Sequence, residues 1–150
     1  MKKYGLLLGL SLFSVIAFSA PPHLIHVTVQ SPSASLPANM TAMIPGLYVH
    51  YEEHKFQLVI FNNAVKAGET VSQSLYVPAN AQWIKPVITY VDKTGSQHYW
   101  YCQETVNISE LINASQPNRL MVKTEGTTTE AMKMDTTQTQ SCSYQIKAGN

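Results

Sequence analysis

From residue 20 onward, apolar residues recur at every second position and hardly anywhere at helical spacing. Side chains of an extended strand alternate between two faces, so this period commits the chain to strands with one face on a core. In "HLIHVTVQ", Ile25, Val27 and Val29 share one face, while His26, Thr28 and Gln30 share the other. A Pro/Ser/Ala stretch, "SPSASLPANMTAMIPG", then reads as a loop.

"LYVHYEEHKFQLVIF" predicts a hairpin. With Glu52–Glu53–His54–Lys55 as the turn, Tyr51 faces Phe56, Val49 faces Leu58 and Leu47 faces Ile60, all on one apolar side. His50 then faces Gln57, and Tyr48 faces Val59, on the other side. A slip of one residue would undo this sorting.

"ETVSQSLYVP" alternates Val71, Gln73, Leu75 and Val77 against Ser72, Ser74 and Tyr76. "WIKPVITYVDKTGSQHYWYCQETV" predicts a second hairpin, turning at Asp92–Lys93–Thr94–Gly95. Asp at the first position and Gly at the fourth suit a type I turn closed by a left-handed glycine. "NISELINASQPN" predicts a single helical turn, "NRLMVKTEG" a short strand and "TTTEAMKMDTTQTQ" a long polar loop. In the last strand, "SCSYQIK", Cys142, Tyr144 and Ile146 point inward. About eight short strands at this spacing predict one all-β domain over residues 20–150. The expected architecture is an antiparallel β-sandwich, loosely immunoglobulin-like, with a small β-barrel as the alternative.

The first 19 residues break the pattern. Lys2 and Lys3 precede an apolar run from Gly5 to Ala17, and small residues follow. This is the layout of a cleaved signal peptide, with the cut after Ser19 or Ala20. The run falls well short of the ~20 residues that span a bilayer, and no later run is long enough to do so. The expected protein is exported, periplasmic or secreted, of bacterial type, with no membrane span in the mature chain.

Loss of the leader removes two of the ten Lys and Arg residues, leaving eight basic against nine acidic side chains. Arg119 is the only arginine. A nucleic-acid partner would need a basic face, which this composition does not supply.

Cys102 and Cys142 are the two cysteines, and an even count in an exported chain predicts a disulfide. Their separation excludes a Cys-x-x-Cys redox motif, and oxidised sulfurs are not nucleophiles. No Gly-x-Ser-x-Gly elbow and no glycine-rich phosphate loop occurs, and Glu52–Glu53 falls in a turn. No enzyme activity and no cofactor are therefore expected.

Metal chemistry has weak candidates. Met40 with Met43, and Met132 with Met134, are thioether pairs that suit Cu(I), and His50 could join them. A periplasmic copper carrier is the alternative function. The better candidate is a contact surface. In the second hairpin, Trp100 and Cys102 belong with the core, and His98 lies toward the rim. Tyr99 and Tyr101 point the other way, beside Val87 and Thr89 on the facing strand. Aromatic side chains on an exposed sheet face offer large contact area at low entropy cost, so this patch predicts binding to a protein partner.

Overall fold

The computed structural model describes residues 20–112, 119–125 and 138–148. The predicted leader, Met132 and Met134 lie outside the described residues. The chain is all-β. Its strands are β1 (His23–Gln30), β2 (Met40–Glu52), β3 (Lys55–Ile60), β4 (Thr70–Val77), β5 (Trp83–Asp92), β6 (Gln97–Cys102) and the short β7 (Val106–Asn107). One helical turn, α1 (Ile108–Ile112), precedes β8 (Arg119–Glu125) and β9 (Gln138–Lys147).

The strands pair in the order β3-β2-β5-β6-β9-β8-β1-β4, with β7 also on β5. β9 links the two halves of this path. Residues 138–140 run alongside β6, and residues 141–147 pair with β8. The sheet therefore folds over at β9, and its two halves enclose one core. Ile25, Val27, Val29, Leu75, Val77, Leu120 and Val122 come from one half. Leu47, Val49, Ile84, Ile88, Trp100 and Cys102 come from the other. The open edges approach each other where the Asn62 N–H donates to Gln73 Oε1 of β4 at 3.0 Å. The result is a nearly closed, barrel-like sheet.

Two pairings depart from the antiparallel expectation: β1 with β8, and β6 with β9, are parallel. Alternation sorts faces, but it carries no information about strand direction. The Cys102–Cys142 disulfide forms as expected, with the Cα atoms 5.6 Å apart.

The first hairpin corrects the predicted register. Its turn is the one expected: Glu52 pairs with Lys55 across Glu53 and His54. His54 takes the left-handed conformation that the turn needs, with φ of 60°. A bulge at Tyr51 then shifts every later pair by one, so His50 faces Phe56, Tyr48 faces Leu58 and Leu47 faces Val59. Phe56, Leu58 and Ile60 thereby leave the core face for the outer one.

β2 also begins earlier than expected, because Met40–Gly46 is strand rather than loop. Pro45 is tolerated within it. The Pro45 carbonyl accepts the Phe61 N–H at 2.8 Å, so its nitrogen faces the same side, just past the end of β3. The missing N–H thus leaves the ladder to β5 intact.

The second hairpin follows the predicted register, with Ile88 opposite Trp100 and Tyr90 opposite His98. Gly95 has φ of 86°, and its N–H donates to the Asp92 carbonyl at 3.0 Å. The Asp92 side chain organises the turn. Its Oδ1 accepts from the Thr94 N–H, the Thr94 hydroxyl and the Ser96 N–H, and its Oδ2 accepts from His98 Nε2 at 3.0 Å. These donors, His98 first, hold the carboxyl well below the usual carboxylate range.

A carboxylate whose folded-state pKa is depressed stabilises the fold above its unfolded value of ~3.9, and that contribution disappears as pH falls below it. Denaturant midpoints should therefore hold steady through neutral pH and drop in acid below about pH 4. In Asp92→Asn the acid drop should be smaller. Equal acid slopes in the two proteins would contradict this role.

Candidate functional site

The candidate site is the outer face of β3, β2, β5 and β6, and it is wider than the sequence patch. Strand alternation puts Tyr48 and His50 of β2 on this face, with Phe56 of β3, Trp83 of β5 and Tyr99 and Tyr101 of β6. The register sets His50 between Phe56 and Trp83, and it sets Tyr101 beside Val87.

The rings form a connected set. His50 and Trp83 stack with centroids 4.8 Å apart and planes 7° from parallel. Tyr48 stacks on Phe56 at 4.9 Å and 16°. Tyr101 meets Tyr48 edge-on at 5.2 Å, and Tyr99 follows Tyr101 at 6.3 Å. The stacking distances match the spacing of neighbouring strands, about 4.7–4.9 Å. The rings of these pairs therefore stand up from the sheet and face one another across the gap between strands. One broad face of each of these four rings is used within the cluster. Burial, followed by the neighbouring Tyr48 and Tyr99, raises the Tyr101 phenol above its ordinary value.

All of these rings are partly accessible, and Phe56 is 43% exposed. Val87 and Thr89 lie on the predicted side but are covered, at 1% exposure each. Gly46 explains much of this. A side chain there would sit 2.8 Å from the Val59 carbonyl oxygen and 3.3 Å from Ile60 Cγ2, so Ile60 leans over the space that Gly46 leaves open. Gly46 separates Ile60 from Val87 in the ladder, and Tyr101 stands on the other flank of Val87. Thr89 sits between Ile44 and Tyr99 in the same way. Val87 and Thr89, expected in the contact patch, are thus covered side chains beneath and beside the rings, whereas Tyr99 and Tyr101 are partly accessible.

Four ring-bearing members were missed in the sequence patch. Phe56 was hidden by the bulge at Tyr51. Trp83 could have been found by carrying the Val87–Thr89 parity two steps back along β5. Alternation sets Tyr48 and His50 on the outer side of their hairpin, but it does not say which strand lies beside it.

Of the copper candidates, Met40, Met43 and His50 lie among the described residues. Met40 and Met43 are buried in the core. His50 is held between Phe56 and Trp83. Among the described residues, no group of three His, Cys, Asp or Glu side chains could hold a metal ion. His26 Nδ1 and Ser74 Oγ lie 2.6 Å apart on the exposed side of β1 and β4. Among the described contacts of His26 there is no carboxylate to orient the ring as a general base.

No protein-family model and no curated protein matches the chain. Among solved structures, a chain described as "Trapped Toxin" aligns over 84% of this chain with 9% identity and a TM-score of 0.34. This chain spans about a quarter of that one's length, 24%.

Proposed function

We propose that the protein is an exported, non-enzymatic binding module that engages a protein partner through the aromatic face of β3, β2, β5 and β6. The observation that carries this reading is the connected set of six accessible rings on the outer side of one half of the sheet. Upright rings with Tyr hydroxyls and a Trp N–H at their tips suit the mixed apolar and polar surface of a protein. Sugar stacking needs free ring faces, and here one face each of His50, Trp83, Tyr48 and Phe56 is taken by its stacking neighbour. Export is supported by the Lys2–Lys3 start with its apolar run and by the disulfide. Among the described residues, no helix is long and apolar enough to cross a membrane.

The test is the double variant Tyr99→Ala/Tyr101→Ala. It should keep the native melt and circular dichroism but lose the protein captured by the wild type from the source envelope. Oligosaccharides should leave Trp83 fluorescence unchanged. Capture that survives the double variant, or saturable quenching by a sugar, would overturn the reading.

A further inference from the structure

β3 ends the strand order, and among the described strands it pairs only with β2. Its ladder shows which groups are left over. The Phe61 N–H donates to the Pro45 carbonyl, which marks Phe61–Pro45 as a bonded rung. Bonded and non-bonded rungs alternate in an antiparallel pair. Val59 with Leu47 and Gln57 with Val49 are therefore also bonded rungs. The N–H and C=O groups of Phe56, Leu58 and Ile60 then point away from β2, to the outer edge. The side chains of the same three residues lie on the outer face, where Phe56 and Ile60 are 43% and 44% exposed.

An edge of this kind is a template for another strand, and proteins usually guard such edges with charge, proline or a bulge. From Phe56 to Ile60 the sequence FQLVI carries none of these guards on the free side. The bulge at Tyr51 lies beyond the turn, on β2. Lys55 is drawn into an ion pair with Glu52.

We infer that the protein self-associates as a twofold dimer by antiparallel pairing of β3 with β3 of a second copy, centred on Leu58. The strand matches itself in this register. Leu58 opposes Leu58, Phe56 opposes Ile60, and Gln57 opposes Val59. The two Lys55 residues sit at opposite ends, so no like charges meet. Each free N–H and C=O of Phe56, Leu58 and Ile60 finds a partner, about six main-chain bonds in all. The twofold axis runs perpendicular to the joined sheet, so both aromatic faces lie on the same side and form one doubled surface. A strand from a different protein could use the same edge, but only a second copy is bound to match in parity and charge.

Sedimentation velocity of the purified, oxidised protein over a wide concentration range tests the inference. The expected result is a reversible monomer–dimer equilibrium. Leu58→Lys, which sets two ammonium groups against each other at the axis, should weaken the dimer at least about tenfold, equivalent to ~1.4 kcal/mol. Hydrogen exchange gives a reading that needs no variant: the amides of Phe56, Leu58 and Ile60 should be protected at high concentration and exchange quickly at low concentration. Tyr99→Ala/Tyr101→Ala should dimerise as the wild type does, which separates this inference from the partner reading. A protein that stays monomeric throughout, a dimer that leaves those three amides unprotected, or a dimer lost in the tyrosine variant would overturn it.

Discussion

Trp100→Ala should destabilise the protein by about 3–5 kcal/mol, the range for removing a large aromatic side chain from a packed core. The indole is buried and lies edge-on to Tyr90 at 6.5 Å, opposite Ile88. Tyr90 is buried too, which pushes its phenol up to about 12. The Trp100 carbonyl also accepts Gln140 Nε2 at 3.2 Å, where β9 runs alongside β6. A cavity here would open next to the junction of the two half-sheets. Domains of this size have ~5–15 kcal/mol of stability, so the variant should melt far below the wild type or fail to fold. Tyr101→Ala, one residue on and facing outward, should have a much smaller effect. Denaturant titration of both variants checks the contrast, and similar losses would mean that the two faces of β6 are not divided as described.

Removing the disulfide by Cys102→Ala/Cys142→Ala should cost about 4 kcal/mol in the chain-entropy account of a loop of this length. The effect should concentrate in one place. β9 leaves β6 after Gln140, and Cys142 already pairs with Thr124 of β8. The bond to Cys102 therefore ties β6 to β9 just beyond the crossover, where, among the described residues, three β6–β9 pairs join the two half-sheets. Without it, residues 138–147 should exchange amide protons faster than β2 or β5 in the same sample. Unchanged stability, or faster exchange spread evenly over all strands, would contradict this role.

Much of the fold was legible because burial and strand parity coincide. Ile25, Val27 and Val29 in β1, and Trp100 and Cys102 in β6, are buried as their alternation implied. The Asp92–Gly95 turn was legible because a left-handed glycine and a side-chain acceptor leave a local signature. What escaped was non-local. The bulge at Tyr51 has no residue signature, and it alone moved Phe56 to the outer face. Pro45 lies in a stretch that reads as loop, because its position at the end of the β3 ladder depends on a neighbour distant in sequence. The crossover of β9 has no period of its own. The site was half legible for the same reason. Tyr99 and Tyr101 share a strand, whereas Tyr48, Phe56 and Trp83 join them only through the order β3-β2-β5-β6.

The central claim is that this aromatic face, and not the opposite half of the sheet, meets a protein partner. Photo-crosslinking from benzoylphenylalanine in place of Tyr99 tests it in the intact source cell. Tyr76 of β4 is the control, because it is 65% exposed on the other half of the sheet. The account predicts a discrete crosslinked protein from position 99 and none from position 76. No adduct at position 99, or the same adduct from both positions, would contradict it.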